Sequence, residues 1–476
     1  MAADIGQFET LIPSRFTTFT IPHPSISTAS PLRVAVLDTP VPQPIDPPKV
    51  AAMIVPPGRE RDWIFSTESG QMQLLFNSPG ISRLIIIGNV PESADDSPVI
   101  YNRDVENGFV LSEVSLYPLI LSLFPKASIV DGFFDVPFLS YQDDVIASVV
   151  LEKCVGPFVG EMLVEDIEIE LKVDGEAEGD CVETFKKREF RRRLRFRRMP
   201  NLVQTEIRIV PGREVGLEER LGVGDFKFRL DLGHLVHSYL GPMAASLKLI
   251  SKCVEEKMRA GIRPKALCVG VGGGALLGFL RTQLGFMVVG VEVDEDVLRI
   301  SSRYFGMVED EQMQLRVGDG MEELKRFGCR CEHSFGVHYS EGGRCCNDLG
   351  CKASKFDVIM LDLDSDDPMH GLMAPPKAFL QRSVLKNAKL ALRKTGILVV
   401  NVIPPGDLYY KSLINELREI FADLYEIDVG NEENFVLIAS VSPIESISDQ
   451  KDSYILKKLK QTNLGHYADQ IKKVCV

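Results

Sequence analysis

The stretch KALCVGVGGGALLGFLRTQLGFMVVGVEVD, residues 265–294, decides the fold of this chain. It is typical of a buried strand, a glycine turn, a helix and a second buried strand that ends at Glu292. Open α/β sheets bind ligands at the carboxyl ends of their strands, which is where this turn lies. Because glycine has no Cβ, Gly270, Gly272 and Gly274 allow a tight turn and a close approach to a ligand. The stretch predicts a Rossmann-like domain that holds a nucleoside-bearing cofactor.

The spacing of these glycines leaves two cofactor classes open. Dinucleotide sites usually read G-x-G-x-x-G and face a pyrophosphate, whereas this turn reads G-x-G-x-G, which suits S-adenosylmethionine at least as well. Glu292 is placed to accept hydrogen bonds from both ribose hydroxyls. A short predicted strand, Met313 to Val317, leads into Gly318, Asp319 and Gly320, where the carboxylate could receive an adenine amino group. These elements, in this order, favour a methyltransferase-type sheet.

The rest of the domain continues the alternation of strands and helices. Residues 356–362 form a nearly continuous apolar run, typical of a strand that is covered on both faces. Asp407 has the position of a helix N-cap. The further predicted elements are a helix at about 376–393, a strand at 397–402, a helix from 407 to about 421, and a closing antiparallel hairpin at 424–429 and 434–440. The prediction is a doubly wound α/β domain with seven strands.

At 476 residues the chain is too long for one core, so several domains are expected. A proline-rich, partly extended segment with one strand at Leu32–Asp38 comes first, and a small α/β region with no recognisable chemistry follows. The predicted boundaries are 1–50 for the extended segment, 51–155 for the small α/β region, 156–234 for a β-hairpin and linker, 235–445 for the cofactor domain and 446–476 for a helical tail.

Composition limits the cellular setting and the partners. The net charge of −13 argues against general nucleic-acid binding, and no apolar run is long enough to span a bilayer. The N-terminal residues lack a basic flank followed by an apolar core, so we expect no secretory signal. The absence of such a signal predicts a cytoplasmic protein, in which we expect the ten cysteines to be reduced thiols. The sequence does not decide between a monomer and a homodimer.

An arginine-rich segment, residues 186–200, follows an acidic stretch at 161–183. A targeting or RNA-binding patch is one interpretation. The alternation of apolar residues before and after Pro200 favours a β-hairpin with solvated arginines on one face. Those arginines could also meet an acidic patch of the same protein or of a partner. We therefore predict the hairpin.

A cysteine-rich segment, residues 329–351, contains five cysteines and two histidines. Zinc favours such ligands, but the C-x-C…CC-x4-C spacing is not that of a standard finger. The segment lies between two predicted elements of the sheet, where insertions are tolerated. We predict a surface insertion and assign no metal; a metal assay distinguishes the alternatives.

Candidate catalytic residues follow the fourth predicted strand, in LDLDSDDP. Transfer of a methyl group from a sulfonium requires an aligned, uncharged nitrogen, and a carboxylate can orient the amine and take up its proton. Asp362 and Asp364 are both placed to do so, and the sequence does not separate them. The structural alternative is that these residues cap the next helix.

These motifs carry a family resemblance. VGVGGG, VEVD, GDG and LDLDSDDP resemble the spermidine-synthase-like class I methyltransferases, and in particular the C-terminal half of the elongation factor 1-alpha N-terminal and lysine methyltransferases (methyltransferase-like protein 13 family). Four further segments resemble that family in the same order: VPPGRERDWIFSTESG (55–70), VPFLS (136–140), RRLRFRRMPNLVQTE (192–206) and SYLGPMAASL (238–247).

The resemblance implies an S-adenosylmethionine-dependent protein N-methyltransferase that acts on the N-terminal α-amine, or a lysine, of elongation factor 1-alpha. It implies that Asp362 or Asp364 binds the amine and that Tyr239 lies in a segment covering the site. The residues that it implies for cofactor binding are Gly270, Gly272, Gly274, Glu292, Asp319 and Gly320. The alternatives are a polyamine aminopropyltransferase, which Ala275 disfavours because those enzymes usually place an acidic residue there, and a catalytically silent cofactor-binding scaffold.

Overall fold

The chain forms two compact units, and each is discontinuous along the sequence. Unit 1 comprises Met1–Lys153, Glu161–Val203 and Pro211–Phe228, and unit 2 comprises Cys154–Gly160, Gln204–Val210 and Arg229–Val476. The computed structural model describes residues 5–24, 31–40, 47–90, 100–103, 112–129, 136–141, 143–171, 187–212, 223, 227–328, 355–365, 374–430, 434–444 and 453–474.

Unit 1 contains a sheet with the strand order β1-β2-β4-β3-β6. Its strands are β1 (Phe16–Ile21), β2 (Leu32–Asp38), β3 (Val50–Ile54), β4 (Arg83–Asn89) and β6 (Phe138–Leu139). The described residues also form helices α1 (Trp63–Ser66), α2 (Glu68–Phe76) and α3 (Glu113–Ser122). The predicted strand in the proline-rich segment is confirmed as β2.

Strand β2 shows why this sheet carries a core on each face. Its side chains alternate, because successive residues of a strand point to opposite faces. Val34 and Val36 pack in the cluster that includes residues of α3. Ala35 and Leu37 pack in the cluster that includes residues of α1 and α2. The run LRVAVLD is therefore apolar at nearly every position.

The second part of unit 1 carries the arginine-rich segment. Strands β8 and β9 pair antiparallel, and so do β5 and β7. The strands of this region are β5 (Ile100–Asn102), β7 (Val145–Gly156), β8 (Gly160–Leu171) and β9 (Lys187–Phe196). Strands β10 (Val203–Pro211) and β11 (Phe228–Leu230) lie mainly in residues of unit 2. The predicted strands on either side of Pro200 are thus present as β9 and β10.

Two arginines of β9, Arg192 and Arg195, do not lie in the solvated row that the sequence predicts. Arg192 stands opposite Asp166 in the strand register and forms an ion pair with it at 2.7 Å. Arg195 is 6% exposed and contacts Asp62 at 2.8 Å and Glu165 at 3.3 Å. Cross-strand opposite charges stabilise such a pair of strands. The arginines meet acidic residues of the same unit, which was the alternative stated for them.

Unit 2 contains a sheet of eight strands in the described part of the chain. Their order is β14-β13-β12-β15-β16-β18-β17-β19, parallel from β14 to β16 and antiparallel beyond. The strands are β12 (Lys265–Val269), β13 (Met287–Glu292), β14 (Met313–Val317), β15 (Phe356–Leu361), β16 (Leu392–Val402), β17 (Asp423–Asp428), β18 (Phe435–Ser440) and β19 (Lys472–Lys473).

The helices of unit 2 cover this sheet. One face of the sheet packs against buried side chains of α8, α9 and α10. The helices are α4 (Leu240–Ala245), α5 (Ser251–Arg259), α6 (Ala275–Thr282), α7 (Glu295–Phe305), α8 (Gly320–Gly328), α9 (Arg382–Ala391), α10 (Asp407–Ile420), α11 (Tyr454–Gln461) and α12 (Gly465–Asp469).

The seven predicted strands, and with them the Rossmann-like sheet, are confirmed. Two details differ. The tail contributes helices and also the eighth strand, β19, at the edge beside β17. Asp407 is the first helical residue of α10 and not its N-cap, which is Gly406. An acidic residue in a first turn also suits the positive end of the helix dipole, so the sequence signal was real but shifted by one position.

Two early segments of the chain are built into unit 2 by specific hydrogen bonds. The buried Asp294 carboxylate accepts from the backbone N–H groups of Phe158 at 2.9 Å and Val159 at 3.0 Å, and its other oxygen caps helix α7. Thr205 of β10 accepts from the backbone of the glycine turn. Across the described residues, no helix is both long and apolar enough to cross a bilayer.

Candidate active site

The glycine turn between β12 and α6 leaves no room for side chains. Gly270 and Gly274 have φ values of +86° and +85°, a region that other residues rarely adopt. A Cβ on Gly270 would lie 2.0 Å from the carbonyl oxygen of Asp362, and one on Gly274 would lie 2.4 Å from Met307 Cγ. Gly272, at φ +51°, has the same backbone requirement. The turn is therefore held close to the loop that follows β15.

Thr205 supports this turn, and sequence reasoning missed that role. The N–H of Gly273 donates to Thr205 Oγ1 at 2.7 Å, and Thr205 is buried. The alternation of residues along β10 indicated that the Thr205 side chain points inward. Nothing in the sequence identified the glycine turn as its hydrogen-bond partner. This hydrogen bond satisfies a backbone N–H near the start of helix α6.

Glu292, at the end of β13, also forms hydrogen bonds with the backbone of this turn. Its Oε2 accepts from the N–H of Val271 at 3.0 Å and of Gly272 at 3.4 Å. Its Oε1 accepts from Val293 at 2.9 Å and Asp294 at 3.3 Å. Burial raises the pKa of Glu292 above its ordinary value, and these four hydrogen bonds oppose that rise. The carboxylate is thereby fixed beside the turn at the strand end.

Asp319 and Gly320 lie at the next strand end along the sheet. The backbone N–H of Gly318 donates to the carbonyl of Glu292 at 2.8 Å, which connects the two strand ends. Asp319 is exposed, and its Oδ1 accepts from Met321 N at 2.7 Å at the start of α8. A Cβ on Gly320 would lie 2.3 Å from Val269 Cγ1. Asp319 thus stands at the rim, apart from the aspartates that follow β15.

Asp362 lies directly after β15 and is the most perturbed carboxylate of this edge. Burial, and secondly the negative charge of Asp364, raise its pKa from 3.8 to about 7. The hydroxyl of Tyr239 donates to Asp362 Oδ2 at 3.4 Å, and Asn401 forms a side-chain hydrogen bond with the same carboxyl group. Burial also raises the pKa of Tyr239, so its hydroxyl stays a donor. Asp362 can therefore exchange a proton near neutral pH.

Asp364 has different surroundings, and this separates the two aspartates. Gln204 of β10 donates from Nε2 to Asp364 Oδ2 at 3.0 Å. This hydrogen bond holds the Asp364 side chain in place. Neither Gln204 nor Asn401 was a candidate from the sequence, although an asparagine within the apolar run ILVVNV was a visible irregularity. The structure brings Tyr239, Asp362 and Asp364 together beside the glycine turn.

The cysteine-rich segment lies outside the described residues, so its assignment as a surface insertion stays a prediction. Within the residues that the structure describes, no group of three or more histidine, cysteine, aspartate or glutamate side chains could hold a metal ion.

The chain is similar to curated methyltransferases. It is 27% identical over 407 residues to the "eEF1A lysine and N-terminal methyltransferase" of Xenopus laevis, a match that covers 81% of this chain and 50% of the relative. The similarity to a "Polyamine aminopropyltransferase" of Thermococcus onnurineus is shorter, at 26% over 214 residues, 43% of this chain and 63% of the relative. No family model matches the chain.

Among solved structures, human methyltransferase-like protein 13 in complex with SAH is 24% identical and has a TM-score of 0.36, covering 49% of this chain and 91% of that chain. The chain spans about half the length of the curated relatives that it matches. Similarity to the curated methyltransferases along most of the chain confirms the resemblance that the motifs indicated.

Proposed function

We propose that this chain is an S-adenosylmethionine-dependent protein N-methyltransferase. One observation carries the proposal. Asp362, whose carboxyl pKa is raised to about 7, has its own backbone carbonyl directly beside Gly270 of the glycine turn. A group that accepts a proton at neutral pH thus lies beside a turn suited to a nucleoside cofactor. Methylation of an amine needs both features in one place.

The residues at the strand ends fit the cofactor. The turn is free of side chains at Gly270 and Gly274, and the Glu292 carboxylate is held at the end of the neighbouring strand. Its contacts with Gly272 and Asp294, at 3.4 and 3.3 Å, are the longest of its four, and this carboxylate would hold the ribose hydroxyls of the cofactor. When bound, the cofactor supplies an electrophilic methyl group on a sulfonium.

The protein residues prepare the nucleophile. An amine attacks through its lone pair, so it must be neutral, and the proton that it releases passes to Asp362, which Tyr239 and Asn401 hold in place. Asp364 is placed to attract the amine as a cation. An α-amine with a pKa near 8 is about 10% neutral at pH 7, whereas a lysine near 10.4 is below about 0.1%. By this measure the N-terminal α-amine is the easier nucleophile of the two.

For the substrate we propose translation elongation factor 1-alpha, methylated at its N-terminal α-amine or at a lysine. The names of the curated relatives support this choice, and the similarity covers 81% of this chain. We further propose that the protein is cytoplasmic and does not bind nucleic acid directly, in keeping with its net charge of −13. A homodimer and a monomer both stay open, and light scattering on the purified chain distinguishes them.

The test uses the purified full chain, radiolabelled S-adenosylmethionine and elongation factor 1-alpha. We expect label on the substrate, and a loss of at least about tenfold when its N-terminal amine is blocked by acetylation, because an amide nitrogen is not nucleophilic. Mass spectrometry then locates the methyl groups. A control substrate with free N-terminus and methylated lysines should be labelled normally.

Equal labelling of the blocked and free substrates would overturn the α-amine assignment and leave lysine. No labelling of either would overturn the choice of elongation factor 1-alpha.

Aminopropyl transfer is the second candidate function, and the similarity to a polyamine aminopropyltransferase favours it. Incubation with decarboxylated S-adenosylmethionine and putrescine tests it directly. We expect no product, because Ala275 occupies the position where those enzymes usually carry an acidic residue. If neither assay gives product while the cofactor still binds in calorimetry, the chain is a cofactor-binding scaffold.

Replacing Glu292 tests the cofactor site alone. We expect Glu292→Ala to weaken binding of S-adenosylhomocysteine by about 1–3 kcal/mol, measured by calorimetry, since a charge-assisted hydrogen bond to ribose is lost. Glu292→Gln, which keeps the size but not the charge, should have a smaller effect. Glu311→Ala removes an equal charge from an exposed position of unit 2 and should leave affinity unchanged. Undiminished affinity in Glu292→Ala would show that the ribose lies elsewhere.

A further inference from the structure

Two buried asparagines lie in series behind Asp362. Asn401 is on β16 and is 4% exposed, and Asn434 precedes β18 and is 5% exposed. Asn434 Nδ2 donates to Asn401 Oδ1 at 3.1 Å, and Asn401 in turn forms a side-chain hydrogen bond with Asp362. Burial of two amides in a sheet core is costly unless their polar atoms are paired. The pair therefore stands out within an otherwise apolar part of the sheet.

The direction of these hydrogen bonds is chemically informative. An asparagine amide has one end that only accepts and one that only donates. Because Asn434 occupies the accepting end of Asn401, the donating end of Asn401 is turned towards the Asp362 carboxylate. A donor in this position stabilises the ionised carboxylate, whereas a flipped amide would present an oxygen and destabilise it.

We propose that Asn434 and Asn401 are positioning residues: Asn434 fixes the orientation of the Asn401 amide, so that Asn401 donates to Asp362 and keeps it a competent proton acceptor. This inference rests on the proposed function, since it concerns the proton that an amine substrate releases. The two asparagines would thus act on the proton transfer from inside the sheet, through Asp362 and without contact with the substrate.

Within the described part of the chain, the titratable side chains of Asp364, Tyr239 and Cys268 face Asp362. Asp364 raises its pKa through like charge, and the Tyr239 hydroxyl lowers it by donating a hydrogen bond. Cys268 of β12 is buried, and its own pKa is raised by burial and by the charge of Asp362, so it stays a neutral thiol. Asn401 and Asn434, the asparagine relay, are themselves uncharged, so their replacement by another neutral residue changes the hydrogen bonds around Asp362 and no charge.

The experiment compares the full-length wild type with Asn401→Leu, Asn434→Leu and the double variant. Leucine resembles asparagine in size and removes the amide. For each single variant we expect the acid limb of the kcat/KM profile to move up by about one pH unit. That shift gives a roughly tenfold loss of kcat/KM at pH 6 and recovery towards the wild-type rate near pH 9.

The double variant should match Asn401→Leu alone, because Asn434 acts through Asn401. Ser440→Ala is the matched control: Ser440 is also buried, and it lies at the far end of strand β18 from Asn434. It should change stability at most and leave the acid limb in place. A uniform loss of activity at every pH in the asparagine variants, with an unmoved acid limb, would show that they are merely structural and overturn the proposal.

A second readout separates this inference from the proposed function. Carbon-13 labelling of aspartate carboxyl groups allows the titration of Asp362 to be followed by NMR, with its signal assigned by its absence in Asp362→Asn. The midpoint should rise in Asn401→Leu, and in Asn434→Ala if the leucine variant does not fold, whether or not any substrate is turned over. An unchanged midpoint would overturn the relay even in an active enzyme. An inactive wild type with a shifted midpoint would overturn the proposed function and keep the relay.

Discussion

Asp362→Asn will lower kcat by about 10²- to 10⁴-fold, because asparagine keeps the shape of the carboxyl group but cannot accept the amine proton. The same change will raise thermal stability at pH 8. The folded pKa of about 7 lies above the ordinary 3.8, so the folded state holds this proton more tightly than the unfolded state. Stability contributed by the neutral acid is present below pH 4 and is lost as pH rises through 7.

The measurement is a pair of profiles for the wild type and the variant. The wild type should lose kcat/KM about tenfold per pH unit below about pH 7, as Asp362 becomes protonated. The gain in melting temperature of Asp362→Asn should be small at pH 5 and should grow towards pH 8. A gain that does not depend on pH would contradict the assigned pKa.

Asp364→Asn serves as the matched control, since it alters a neighbouring carboxylate by the same chemistry. Removal of the Asp364 charge should lower the pKa of Asp362, because like charge is the second cause of its elevation. The acid limb should therefore move to lower pH with a smaller loss of rate. An acid limb that stayed in place in Asp364→Asn, or a loss of rate as large as that of Asp362→Asn, would contradict the separate roles that we propose for the two aspartates.

Gly270→Ala should have the second largest effect, abolishing cofactor binding and destabilising the protein by about 2–5 kcal/mol. Two costs combine in that figure: a left-handed backbone costs other residues about 1–2 kcal/mol, and an overpacked core costs typically 1–3 kcal/mol. The observed φ is +86°, and the new Cβ would lie 2.0 Å from the backbone oxygen of Asp362, which cannot rotate away. Calorimetry with S-adenosylhomocysteine and chemical denaturation check the two parts.

Gly261→Ala isolates the backbone cost. Gly261 has a similar φ of +73°, but no atom lies within 4 Å of the position that its Cβ would take. We expect a loss of about 1 kcal/mol and unchanged cofactor affinity. Equal effects of the two substitutions would mean that the close approach of Gly270 to the loop after β15 does not matter for the site.

The fold of unit 2 could be predicted from the sequence because its signals are local. The glycine turn, the apolar run of β15 and the acidic end of β13 are each encoded within a few neighbouring residues. Parallel strands with covering helices then leave few alternative topologies. The order of the central strands follows from these rules, whereas the extra strand β19 of two residues has no periodicity to detect.

The side chains behind the site could not be predicted, because their partners are distant in sequence. Gln204 meets Asp364 across 160 residues, and Asn434 meets Asn401 across 33. A polar residue within an apolar strand shows only that a partner must exist. For Arg195 the sequence predicted exposure, and the structure shows a buried side chain. A run of arginines resembles a solvated face as long as the carboxylates that pair with it, here Asp62 and Glu165, are unknown.

Unit 2 cannot be completed until its last strands exist, although two of its segments are made early. Residues 154–160 depend on Asp294, and Thr205 serves a turn that begins at 270. During synthesis at about 5–20 residues per second, residues 154–160 wait on the order of ten seconds for Asp294 to emerge. A growing chain must therefore keep β7, β8 and β10 available without misassembly. Until Asp294 has been synthesised, the backbone N–H groups of Phe158 and Val159 lack the carboxylate that accepts from them in the folded unit.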